Sequence, residues 1–272
     1  MKKHLLIALA SLVAAFGIST QAFAGDTTEL LDHGMIEIAP TFTMDNLNKD
    51  THPSFAFGTA IGYGVTDFMT VTTTFEIASQ YDLGGVDWAF DADLLFTPYD
   101  SENFDFDVHV DFAMGDYGLE IAPGIELNYD TDNDQNGFGA YLRLDLPIYS
   151  NITGNDEEGN ANDSKSDLGL NLTLGMYYSV LEGHQLFLEG GLGITHLAKK
   201  VADKREIEGF VSLGYNAMVI DNFEIISEVA VNIPEKGEGT YGTISIGAIF
   251  DLPLLVDAGD AGSEEAGDNE EG

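Results

Sequence analysis

The chain has 272 residues, with 47 Asp and Glu against 10 Lys and Arg, a formal net charge of −37 and no cysteine. At that charge, repulsion from phosphates excludes nucleic acid as a partner, and the lack of thiols excludes both a disulfide framework and a cysteine-acylated lipoprotein. Hydrophobic residues still make up 44% of the chain, so the acids must be arranged beside an apolar surface rather than in place of one.

Residues 1–24 read as a cleaved secretory signal peptide: Lys2 and Lys3, an apolar run from Leu5 to Ile18, and Ala22-Phe23-Ala24 ahead of Gly25. The run is short for a retained anchor, and no later stretch reaches the roughly 18 apolar residues of a spanning helix. A mature chain that spans a membrane must then close into a barrel.

Residues 25–252 predict that barrel: an all-β, antiparallel, up-and-down transmembrane β-barrel. Between 35 and 252 the chain divides into about twelve alternating segments, each near the ~10 residues of a tilted membrane strand. The second sets Phe55, Phe57, Thr59, Ile61, Tyr63 and Val65 against Ala56, Gly58, Ala60, Gly62 and Gly64. The third sets Met69, Val71, Thr73, Phe75 and Ile77 against threonines and Glu76. In the fourth, Val86, Trp88, Phe90, Ala92, Leu94 and Phe96 alternate with Asp87, Asp91 and Asp93. In the fifth, Phe104, Phe106, Val108, Val110 and Phe112 alternate with Asp105, Asp107, His109 and Asp111. Period-two patterning gives each strand two faces; here one face is as apolar as lipid and the other is dense in carboxylate.

The sixth segment continues the inward acids with Glu120 and Glu126, and the seventh with Asp145 beside Arg143, the one cation within a strand. The eighth carries Leu168, Leu170, Leu172, Leu174 and Met176 outward, and strands nine to twelve start near Gln185, Ile207, Phe223 and Tyr241. Pro40 and Pro123 fall inside these segments, and each is expected to mark a bulge or a displaced boundary. Residues 253–272 hold Asp257, Asp260, Glu264, Glu265, Asp268, Glu270 and Glu271 among small polar residues, too polar to bury a core, and form an expected acidic disordered tail.

With the N-terminus in the periplasm, the longest connection, Ser150 to Ser166, falls on the cell exterior. The tight turns at Val65-Thr66-Asp67, Leu181 to His184 and Asp221-Asn222 fall on the periplasmic side. Strands five and six instead join through a short exterior turn at Gly115-Asp116. Outward aromatics near the periplasmic turns, from Tyr63 and Phe68 to Phe223 and Phe250, predict an interfacial girdle. Lys49, Lys165, Lys199, Lys200, Lys204, Arg205 and Lys236 sort to the exterior loops, a rim suited to lipopolysaccharide phosphates. A soluble β-sandwich is the structural alternative; it would have to hide the apolar faces against each other and expose the acidic ones.

Asp87, Asp91, Asp93, Asp105, Asp107, His109, Asp111, Glu120, Glu126, Arg143 and Asp145 are therefore the candidate lumen residues. Their summed potential favours cations and repels anions; the plainer reading is that they only solvate and stiffen a wet interior. Asp132-Asn133-Asp134-Gln135-Asn136-Gly137 matches the first half of a calcium loop, but Arg143 stands where a bidentate Glu is required, so an EF-hand is rejected and no metal site is assigned. His109 lies among carboxylates and His196 has no serine predicted beside it, so no catalytic residue and no cofactor is expected.

Phe57 to Glu76, FGTAIGYGVTDFMTVTTTFE, reads as strand, tight turn, strand, and Thr243 to Phe250, TISIGAIF, ends on an aromatic. These stretches resemble outer-membrane β-barrel proteins of Gram-negative bacteria, including transporters of the phenol meta-pathway type. The resemblance implies an outer-membrane location, a final strand read by the barrel-assembly machinery, and contact with membrane lipid and lipopolysaccharide. The acidic extension after Phe250 departs from it, because such barrels end at that aromatic. The leading expectation is a narrow, cation-preferring pore or uptake channel for small cationic or neutral solutes. The alternative is a non-conducting structural or surface-binding barrel whose exterior loops contact partners.

Overall fold

In this computed structural model the described residues are 30–47, 53–80, 85–101, 103–115, 118–131, 137–150, 166–195, 197, 207–234 and 239–253. The signal peptide, residues 254–272 of the acidic tail, residues 132–136 of the calcium-like segment, Asp116, His196 and all seven rim cations lie outside them, while Pro253, expected at the start of the tail, ends the last strand.

The strands are β1 Met35–Asp45, β2 Ser54–Thr66, β3 Met69–Gln80, β4 Gly85–Ser101, β5 Phe104–Gly115, β6 Gly118–Asp130, β7 Phe138–Asp145, β8 Ile148–Ser150, β9 Ser166–Leu168, β10 Leu170–Leu181, β11 His184–Ile194, β12 Ile207–Ile220, β13 Phe223–Ile233 and β14 Tyr241–Pro253. Short β8 continues β7, and short β9 leads into β10, which leaves a closed antiparallel barrel of 12 staves. Neighbours in sequence are neighbours in space, and β14 returns to pair with β1. Closure removes every free edge of the sheet. Among the described residues no helix is long and apolar enough to cross a membrane.

Alternation decides which side of each strand faces in. Phe57, Phe75, Leu94, Leu174, Leu213 and Ile246 are exposed on the outer surface, whereas Glu76, Asp107, Thr173, Glu189, Ser212 and Ser245 are buried. The outward aromatics expected at the tight turns, among them Tyr63, Phe68, Phe96, Tyr129, Phe138 and Phe250, are exposed as well. Both halves of the period-two code therefore sort as read.

The prolines behave differently from expectation. The β1–β2 register runs unbroken through Pro40, opposite Thr59, and the β5–β6 register runs unbroken through Pro123, opposite Val110. Neither marks a bulge. Each instead sits where the ladder on the strand's other side lapses and resumes in the same register, which is where a missing N–H costs least. The bulge is at Pro98, a position the periodicity passes over. Between Phe96–Val108 and Tyr99–Phe106 the β4–β5 register slips, and β4 continues for 17 residues to Ser101.

At one barrel end β2–β3, β10–β11 and β12–β13 join by tight turns, with Asn222 (φ 70°) and Gly183 (φ 70°) in the left-handed region that such turns demand. The longest connection, between β8 and β9, falls at the other end.

Candidate functional site

The carboxylates of β4 to β7 project from the inner face. Asp87, Asp91 and Asp93 of β4, Asp105 and Asp111 of β5 and Glu120 of β6 are half-buried, while Asp107, Glu126, His109, Asp145 and Arg143 are buried. Strand pairing sets them side by side. Asp93 lies directly across from Asp111, and Asp107, Glu126 and Arg143 stand abreast on three successive strands. Like charges opposed across a ladder repel, so the arrangement needs compensation.

One side chain supplies most of it. Arg143 donates through a terminal guanidinium nitrogen to Asp111 Oδ2 at 2.6 Å and through Nε to Asp145 Oδ2 at 3.1 Å. His109 Nε2 faces Asp145 Oδ1 at 2.5 Å. These bonds link β5 to β7 over the strand between them, and β6 permits that because its inner face there carries only Ala122 and Gly124. A Cβ at Gly124 would run into both the imidazole and the Asp145 carboxylate. The clasp lies beside a weak stretch of the ladder. The last β6–β7 pair is Gly124–Asp145, Pro123 and Pro147 follow, and pairing resumes at Ile121–Ile148. Only Leu146 N–H to Pro123 O, 3.0 Å, spans the interval.

Asp107, next along, is held by neutral donors: Thr97 Oγ1 at 2.5 Å and Asn128 Nδ2 at 2.6 Å. Thr97 keeps the inward phase of Asp93 and Leu95 and directly precedes Pro98 at the bulge. Ligand-type atoms of His109, Asp111 and Asp145 come within 4.8 Å of one another. The guanidinium of Arg143 already bonds both carboxylates of that group, so the cluster as built is an ion-paired network.

The candidate lumen set is confined to β4 to β7, but inward acids continue around the wall. Glu76, read on the polar face of the third segment, is buried on the inner face with Glu37, Glu189 and Glu228. Extending the same alternation through β1, β11 and β13 finds the other three. A second feature has no signal in any single strand. Rings on the inner face lie over glycines directly opposite on the neighbouring strand: Tyr141 over Gly175, Tyr177 over Gly139, Phe187 over Gly214 and Phe210 over Gly191. A Cβ at any of these glycines would overlap the ring. Tyr177 donates to Asp130 at 2.7 Å, and Tyr141 donates to Glu189. Laid sideways across Gly214, Phe187 joins Ala39, Ile226 and Ile249 in an apolar cluster along the wall.

No family model matches the sequence, and no curated protein matches it. Solved structures do. The translocator domain of the autotransporter NalP from Neisseria meningitidis is similar at TM-score 0.57 and 13% identity, over 92% of this chain and 99% of that one. The NanC porin is similar at TM-score 0.56 and 12% identity, over 80% and 100%. The COG4313 outer membrane channel from Pseudomonas putida F1 is similar at TM-score 0.56 and 13% identity, over 84% and 98%. At such identities the likeness establishes a shared fold, that of outer-membrane β-barrels, and a fold by itself assigns no activity.

Proposed function

We propose that this chain is an outer-membrane β-barrel forming a narrow, cation-preferring pore or small-solute uptake channel with an acidic lumen. The observation that carries the reading is a charge imbalance on the inner wall. Arg143 is the only Lys or Arg among the described residues, and it is outnumbered on β4 to β7 by the carboxylates around it. A wall of one sign in a confined water path concentrates counter-ions and excludes co-ions. The fold shared with the NanC porin and the COG4313 channel supports the channel class.

Export through the signal peptide, the seven rim cations meeting lipopolysaccharide, recognition by the barrel-assembly machinery and kinship with transporters of the phenol meta-pathway type belong to the same reading. So does the expectation that the chain is not an enzyme.

Planar-bilayer recording in a salt gradient tests the proposal. The expected result is a reversal potential on the cation side; anion preference, or no conductance, would sink it. Burial of inner side chains such as Glu189 and Glu228 favours the rival, a non-conducting barrel that works through its loops. Deleting Asn151 to Ser164 separates the two, since lost partner binding at unchanged conductance would support the rival.

A further inference from the structure

The chain does not simply run down and away from the first stave. Met35 N–H bonds Asp32 O at 2.9 Å, closing a turn with Gly34 at its third position, where φ is 81°. That φ suits glycine. The turn sends the preceding residues back over the inner face of β2. Leu31 N–H then reaches Thr70 Oγ1 on the inner face of β3 at 2.9 Å, and Gly34 N–H bonds Gly64 O at 2.9 Å.

The surface beneath is shaped for backbone. The inner face of β2 is Ala56, Gly58, Ala60, Gly62 and Gly64, the smoothest stretch of wall in the described barrel. A Cβ at Gly64 would collide with the Asp32 and Leu31 carbonyl oxygens, and one at Gly62 would stand 2.8 Å from Leu31 Cδ1. Small residues alone would say nothing; here a chain segment is seated on them with two directed hydrogen bonds. The seat lies at the tight-turn end of β2, close to its last residue, Thr66.

We propose that Leu30–Gly34 is an internal strap docked on the glycine face of β2, and that it narrows the tight-turn mouth of the barrel. The docking stands on the contacts above, while the narrowing rests on the pore reading. The strap is held by few bonds, and one end of it is continuous with β1, so it can leave its seat without unpairing any stave. It can therefore move at low cost to the rest of the barrel.

Two experiments on the full chain separate the parts. The chain has no native cysteine, so Leu31→Cys with Gly62→Cys gives a clean pair whose side chains meet only if the strap is seated. The expected result is a disulfide on mild oxidation of the folded, heat-modifiable barrel; a folded barrel that stays unlinked overturns the docking. In planar bilayers, deletion of Thr27 to Leu31 is expected to raise single-channel conductance several-fold. Gly64→Ala, which keeps the strap but fills its seat, is expected to do the same. Conductance equal to the parent in both variants overturns the narrowing. Current absent from parent and variants alike overturns the pore reading and the strap's role in it, and the crosslink still decides the docking.

Discussion

Two arcs of the inner wall solve the same problem in different ways. From β4 to β7 carboxylates are crowded, opposed across the ladder, and tied by a buried guanidinium and imidazole that bridge β5 to β7. From β10 to β14 they are more widely spaced, as Glu189, Glu208, Glu224, Glu228 and Asp251, among glycines, rings and amides. There the compensation is neutral: Tyr141 donates to Glu189, and Asn216 Nδ2 donates to Glu224 at 2.6 Å. Asp111 and Asp145 share a cation, whereas Glu189 and Glu224 each accept from a neutral donor, as Asp107 does within the crowded arc. Both arcs share one construction rule. A large inward side chain is accommodated by a glycine beneath it, whether the occupant is His109 over Gly124 or Phe187 over Gly214.

If the crowded arc depends on its cation, Arg143→Met carries the largest penalty. It leaves Asp111 without its cation and Asp145 with His109 alone, at a cost of about 3–5 kcal/mol. Urea unfolding in detergent measures it, and a loss no greater than that from a surface substitution would erase the distinction between the arcs. Next comes Gly214→Ala, which forces the Phe187 ring from its seat for about 1–3 kcal/mol by overpacking. An unchanged melting temperature of the heat-modifiable band would mean that the ring is free to swing away. Tyr177→Phe removes one donor to Asp130 where water can replace it, so about 1 kcal/mol is expected from the same unfolding curves. The smallest effect has the opposite sign. Asp93→Asn relieves repulsion from Asp111 and should leave stability level or raise it by ~0.2–1 kcal/mol. In the bilayer the same variant should move the reversal potential toward zero. Destabilisation on the scale of Arg143→Met would show that Asp93 is a structural partner of the clasp.

The alternation in the sequence was enough to place the staves. The start points near Ile207, Phe223 and Tyr241 coincide with β12, β13 and β14, and the inward phase of Asp87 to Asp145 holds throughout. Period two is a local property, read within one strand. What was not legible depends on register between strands. Gly139 and Tyr177 look unrelated until β7 and β10 are aligned, and His109 meets Asp145 only because β6 is bare at Gly124. The prolines mislead for a similar reason. Pro40 and Pro123 keep an unbroken register with one neighbouring strand where the ladder to the other lapses, whereas at Pro98 the β4–β5 register itself slips.

The paired interruptions at Pro147 and Gly169 have a consequence for how the longest loop is carried. β7 and β10 both stop at this level, Gly169 N–H bonds Pro147 O at 2.8 Å, and what lies above is joined to the staves through three residue pairs between β8 and β6 and by Leu197 N–H to Leu168 O at 2.9 Å. The described base of this hairpin, β8 and β9, is thus an addition to a finished cylinder, and substitutions in it are expected to have little effect on closure of the ring.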